Sequence, residues 1–289
     1  MMDAGDKIRI QIESAPGQYQ AKNWVDQSWK LLSLPLLLFI TLPLVSLFTH
    51  ASLSEVLKNL DQRAVLEAIS LSLITSLATM LITLVFGTPV AYLLAQRRGR
   101  FHRLVDTLID LPTVLPPSVS GVALLMAFGR QGLLGGWLAA TGINLPFTTM
   151  AVIMAQVFIA SPFYVKAASI GFAAIDPELK QAAALDGAGS WRTFRYIDIP
   201  LAGMALLSGS VMTWARALGE FGATIIFAGN FPGRTQTMPL AIYMGFEIDL
   251  NVALTLSIIM VGLSFLTLII VKGMLHRRIE LLPESSAPS

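Results

Sequence analysis

The chain has 289 residues, 54% of them apolar and 13% charged, with a mean hydropathy of +0.67 and a formal net charge of +2. A water-soluble domain carries about 25% charged residues, so this composition excludes one and implies a polytopic membrane protein. Cysteine is absent, which excludes a disulfide framework and any cysteine-held metal.

The first stretch, MMDAGDKIRIQIESAPGQYQAKNW, is polar and has no apolar core. We expect a polar cytoplasmic lead over residues 1–29 and no cleavable signal peptide. Six apolar runs follow, at about 30–50, 67–95, 112–129, 148–171, 198–228 and 250–273, each near the ~20 residues that cross a bilayer as a helix. The fold class expected is therefore all-α, with a transmembrane domain over 30–276 and a cytoplasmic tail over 277–289 that is disordered after Leu282. Gly87 and Pro89 predict a kink or tilt in the second run. Pro112, Pro116 and Pro117 predict an irregular, protein-buried start to the third. The fifth run is overlong and carries Gly219 and Gly222, which predicts a break into two helices. Of the 20 Lys and Arg, only Lys58, Arg63, Arg130 and Arg234 fall in connections on one side, and Arg216 falls within a run. The others cluster on the opposite side, which the positive-inside rule makes cytoplasmic together with both termini.

Between the fourth and fifth runs lies QAAALDGAGSWRTFRYIDIP, residues 181–200. Ala182, Ala183 and Ala184 favour a helix, and Gly187 suits a left-handed end to it. Trp191, Arg192, Phe194, Arg195 and Tyr196 add an aromatic and basic surface; Trp191 and Phe194 also suit the lipid interface. The segment resembles the coupling loop of binding-protein-dependent ABC importer permeases, whose pattern is Glu-Ala-Ala, three residues, Gly, nine residues, then Ile-x-Leu-Pro. Here Gln181 stands for the Glu and Ile199 for the Leu, while Ala182, Ala183, Gly187, Ile197 and Pro200 fit. The resemblance implies that Gln181, Ala182, Ala183, Asp186 and Gly187, within a loop at about 173–200, dock an ATPase subunit. Ser190 and Trp191 contribute more weakly.

A second constellation is Trp214 to Thr224, WARALGEFGAT. A charge at membrane depth costs about 2.5–3.5 kcal/mol on insertion scales and faces a bundle interior or a pathway. Arg216 and Glu220 stand four apart, on one helical face. They form a structural ion pair or, with Gly219 and Gly222, a pathway or gate for an anion. Ala228 through Leu240 reads as an external loop that receives a partner or borders the pathway mouth. Together with LPTVLPPSVSGVALLMAFGRQGLLG, these segments resemble the oxyanion branch of the importer permeases, with molybdate permeases nearest and sulfate and thiosulfate permeases next.

The resemblance implies a permease subunit of the prokaryotic cell (inner) membrane that imports molybdate, or tungstate, by alternating access. A sulfate or thiosulfate permease is the alternative. It also implies two ABC ATPase subunits, a second copy of the permease, an external oxyanion-binding protein, surrounding membrane lipid and no nucleic acid. The chain holds no GxxxxGK[ST] loop, so ATP and magnesium belong to the partner and this subunit needs no cofactor and is not an enzyme. His50, His102 and His276 are scattered and show no metal-binding spacing. A secondary transporter would show Asp, Glu or His within several runs, whereas Glu220 stands almost alone.

Overall fold

The computed structural model describes residues 16–50, 53–96 and 99–280. The start of the expected lead and the tail after residue 280 lie outside them. The described residues divide into two units, 1–52 and 53–289.

The first unit is one helix, α1 (Pro16–His50). Residues 16–29, read from the sequence as part of a polar lead, belong to this helix. No proline interrupts it between Pro16 and Pro35, so nothing stops the apolar helix from extending into its polar flank. Its Ser28–His50 portion is long and apolar enough to span a bilayer.

The second unit contains α2 (Leu53–Leu60), α3 (Arg63–Gln96), α4 (Arg100–Val114), α5 (Pro117–Phe128), α6 (Gly135–Ala140), α7 (Thr149–Ala173), α8 (Pro177–Leu185), α9 (Ser190–Thr193), a π-helical segment (Phe194–Asp198), α10 (Ile199–Leu218), α11 (Gly222–Phe227), α12 (Met238–Ile248) and α13 (Leu250–Glu280). Among the described residues five helices qualify as spans, or six when the bent pair α4–α5 counts as one broken span. The sixfold reading of the sequence is met in that sense.

The central packing joins α3, α7 and α10. Without water to expel, helices in lipid associate through small residues and interhelical hydrogen bonds. The buried face of α3 follows that rule: Ala68, Ser72, Ser76, Thr79, Thr83, Gly87 and Ala91 recur every three or four residues, with Thr75 beside them. Opposite them α7 buries Ala151, Ala155, Ala160 and Ala168, and one large polar residue, Gln156. Gln156 is fully buried, donates to Thr75 Oγ1 at 3.2 Å and accepts from Thr79 Oγ1 at 3.0 Å. Both ends of its amide are thus satisfied.

Two elements differ from the sequence expectation. The third run was expected to begin irregularly at Pro112; instead α4 carries Pro112 in its last turn, and the chain bends by 117° between α4 and α5. The break sits at Leu115 and Pro116, because a residue before proline is driven to extended backbone, and Leu115 has φ −66° and ψ 137°. Pro117 then opens α5, where its missing N–H costs nothing. Part of the expected external loop is helical as α12, which starts after Thr237 with Pro239 in its first turn. The second run, for which a kink or tilt was expected, is the single helix α3, with Gly87 and Pro89 inside it.

Gln156→Leu should lower stability by about 1 kcal/mol, the scale of interhelical hydrogen bonds in bilayers. Thermal unfolding in detergent would measure it. An unchanged midpoint would show that the Gln156 hydrogen bonds add nothing to the packing of α3 on α7.

Candidate functional site

The segment from Asp176 to Pro200 is ordered from end to end by local chemistry. The Asp176 carboxylate accepts from the Glu178 amide at 2.9 Å, and Pro177 fills the first turn, so α8 starts where these residues place it. It ends in a Schellman turn: the Gly187 amide donates to Ala184 O at 3.1 Å and the Ala188 amide to Ala183 O at 2.9 Å. Gly187 has φ +80°, where a Cβ costs roughly 1–2 kcal/mol. The helix that the alanine run and Gly187 implied is therefore present, with Asp186 as its C-cap.

No residue of α8 is buried. Gln181, Ala182, Asp186 and Gly187 are exposed and Ala183 is half-buried. Leu185 is 89% exposed and Trp191 70%. A short helix that buries nothing, with Leu185 at its end and Trp191 of α9 displayed beside it, is a surface suited to a protein partner. Phe194, by contrast, packs inward: its ring lies 4.8 Å from Tyr92 and 5.7 Å from Trp191.

Sequence reading missed the polar centre beneath this loop. Asp198, the variable position of the Ile-x-Leu-Pro pattern, is 0% exposed. Its Oδ2 accepts from Tyr92 Oη at 2.8 Å, and Lys180 Nζ lies 3.0 Å from its Oδ1. The same ammonium stands 5.5 Å from the Tyr92 ring centroid. A fully buried Asp needs a cationic partner and a second donor, and sequence spacing alone did not bring Tyr92 to it.

The second constellation lies in the broken fifth run. The break is where the glycines predicted it: α10 ends at Leu218 and α11 begins at Gly222. Arg216 Nη1 and Glu220 Oε2 are 3.0 Å apart, with Glu220 1% exposed and Arg216 partly so. Glu220 is beyond the helix rather than on its face. Its Oε1 accepts the Ala223 amide at 2.8 Å, so the carboxylate joins the last turn of α10 to the first turn of α11. The two glycines differ. A Cβ on Gly222 would stand 2.5 Å from Pro117 Cβ, whereas one on Gly219 would meet nothing nearer than 3.8 Å. Gly222 is thus the close-approach residue, seating α11 on the first turn of α5, and Gly219 has neither a tight neighbour nor a positive φ. The proline-rich and Gly-Glu-Phe-Gly segments, far apart in sequence, meet there.

The Asn230–Thr237 loop is pinned to the other end of α3. Thr235 Oγ1 accepts from the Phe231 amide at 2.9 Å, Thr149 Oγ1 donates to Arg234 O at 2.9 Å, and Ser72 Oγ accepts from the Met238 amide at 2.7 Å. From Ser72 to Tyr92 an α-helix advances ~30 Å, the thickness of a bilayer's hydrocarbon core. Among the described residues no group of three or more His, Cys, Asp or Glu is placed to hold a metal ion.

Residues 87–281 match the family described as binding-protein-dependent transport system inner membrane component. The molybdenum transport system permease protein ModB of Mycobacterium tuberculosis is 37% identical over 233 residues, covering 81% of this chain and 88% of that protein. The molybdate/tungstate transport system permease protein WtpB of Thermococcus kodakarensis is 35% identical over 245 residues, covering 84% and 93%. Among solved structures, a bacterial ABC transporter involved in import of the acidic polysaccharide alginate superposes with a TM-score of 0.70 over 92% of this chain and 98% of that one. At 15% identity that likeness speaks to the fold alone.

Arg216→Met should destabilise the protein by about 3–5 kcal/mol, because it strands a buried carboxylate, while Arg216→Met with Glu220→Gln should recover most of the loss. Thermal unfolding of the three proteins in detergent measures both. A double variant as unstable as the single one would show that the pair does more than neutralise itself.

Proposed function

We propose that this chain, which belongs to the family of binding-protein-dependent transport system inner membrane components, imports molybdate, with tungstate as a cargo of the same charge and nearly the same size. It is a multi-pass inner-membrane protein and the translocation subunit of an ABC importer; ATP hydrolysis belongs to a separate subunit. The observation that carries the choice of anion is the relationship, over four fifths of the chain, to permeases named for molybdenum and for molybdate and tungstate.

In this reading the exposed surface of α8, around Gln181, Ala182, Ala183, Asp186 and Gly187, docks one ATPase subunit on the cytoplasmic side, where the basic connections place it. Both termini lie on that side. A second copy of the chain completes the pathway and brings a second ATPase. An external oxyanion-binding protein delivers the anion at the end of the bundle that carries the Asn230–Thr237 loop. ATP and magnesium act in the partner subunit, and this chain supplies no cofactor of its own. When the ATPases close, the two α8 helices approach and the spans follow, a two-state switch biased by a ligand that favours one arrangement.

The α10–α11 break supplies the pathway element. Arg216, with exposed surface of its own, offers an anion a guanidinium. Glu220 holds that group in place, and Gly222 keeps α11 against α5. Gly219 contributes the end of α10.

Liposomes carrying this chain with its ATPase and binding-protein partners should take up molybdate and raise ATP hydrolysis at concentrations where sulfate does neither. A sulfate response without a molybdate response would move the cargo to sulfate and overturn the choice of anion.

Gly187→Val, which strains the Schellman turn by about 1–2 kcal/mol, should lower uptake per ATP hydrolysed in the same liposomes. An unchanged ratio would count against docking at α8.

A further inference from the structure

We infer that Asp198 is a positioning residue for coupling: with Lys180 and Tyr92 it forms a latch that makes the docking helix, the start of α10 and the end of α3 move as one body. The inference rests on the docking role proposed for α8 and adds the means by which displacement of α8 reaches the spans.

The argument starts from how little holds α8. None of its residues is buried. A groove of about 660 Å³, lined by Tyr92, Gln96, Lys180, Ala184 and Trp191 among others, separates it from α3. A surface helix backed by a groove would transmit little of a push through apolar packing, because dispersion contacts are lost across a gap. Among the described residues, the polar side-chain ties from α8 to the bundle run through Lys180. Its ammonium forms an ion pair with Asp198 Oδ1 at 3.0 Å, by proximity rather than hydrogen-bond geometry, and overlies the Tyr92 ring at 5.5 Å.

Asp198 gives this tie its stiffness. It is fully buried at the junction of the π-helical segment and α10, and its second oxygen is held by Tyr92 Oη at 2.8 Å. Tyr92 is itself wedged edge-on against Phe172 of α7 at 5.3 Å and Phe194 at 4.8 Å. One carboxylate thus joins four segments: α8 through Lys180, α3 through Tyr92, α10 through its own backbone, and α7 through the ring packed on Tyr92. Parting Lys180 from Asp198 would leave a buried, half-paired charge, which is costly. The segments therefore share one displacement rather than sliding past each other. A buried acid at the start of a span also requires this explanation, because position x of the Ile-x-Leu-Pro pattern needs no carboxylate for helix formation.

The test uses the complete transporter in liposomes and reads anions imported per ATP hydrolysed. Asp198→Asn and Lys180→Met should each lower that ratio by about threefold or more, within the range by which residues remote from both ligands modulate coupling. The double variant should fall no further than the worse single one, since both changes open one latch. Lys180→Arg, which keeps the charge, should stay near the original ratio. Should Asp198→Asn fail to fold, the partly exposed Lys180 carries the test through Lys180→Met and Lys180→Arg. Original ratios in the single variants, losses that multiply in the double one, or an Lys180→Arg as impaired as Lys180→Met would overturn the latch. Uptake by the unaltered chain that needs no ATP would instead overturn the importer reading on which the latch rests.

Discussion

A carboxylate shut away from water inside an apolar bundle must be matched by donors that the chain itself supplies. Glu220 shows what this demands of the backbone. One oxygen is matched by Arg216 and the other by the Ala223 amide. In an unbroken helix that amide would be spent on the carbonyl of Gly219. The gap between α10 and α11 and the buried acid therefore require each other: the gap frees the donor, and the acid satisfies the amide that the gap would otherwise leave without a partner. The same logic recurs at Gln156, whose amide is shared by Thr75 and Thr79, and at Asp198, where Tyr92 donates to one oxygen and the Lys180 charge stands 3.0 Å from the other.

These matched groups organise the bundle along α3. At one end Ser72 receives the amide that opens α12, in the middle Thr75 and Thr79 hold Gln156, and at the other end Tyr92 holds Asp198. The polar contacts on that face thus reach α12, α7 and the start of α10 in turn, while the alanines and glycine between them keep the helices close. A span built this way is a common reference for three regions that have no direct contact with one another through these side chains. The α8 loop, the α7 contact and the outer loop each take their position from it.

How much of this could be read from sequence depends on the range of the signal. Long apolar runs gave the spans, because ~20 apolar residues have few other uses. The presence and the end of α8 were legible from Ala182–Ala184 and Gly187, since helix propensity and a left-handed end act over a few residues; its start at Asp176 and Pro177 was not read. The break near Gly219 was legible from the overlong run, although its close contact turned out to be Gly222 against Pro117. Three features were not. Helix α4 is amphipathic and carries Arg103, Asp106 and Asp110, so a hydropathy reading passes over it; Lys166 of α7 lies within 2.8 Å of Asp110. Helix α12 is short and starts inside what reads as turn chemistry. Tyr92 and Asp198 are 106 residues apart, and no local pattern in one chain connects two such positions.

The π-helical segment Phe194–Asp198 has a geometric consequence for the whole loop. Helix α9, this segment and α10 run on as one rod from Ser190 to Leu218. A single wide turn accommodates one residue more than an α-helix would, and each residue rotates the downstream azimuth by about 100°. The direction in which the loop faces and the direction in which α10 presents its buried side are therefore set separately. A chain with one residue fewer in that turn would have to choose between turning Thr193 inward and keeping Asp198, Ala202, Gly209 and Thr213, which follow one α-helical stripe, against their neighbours. The extra residue works as a phase shifter, letting the two ends of one rod be matched to different surfaces without altering either surface's own pattern.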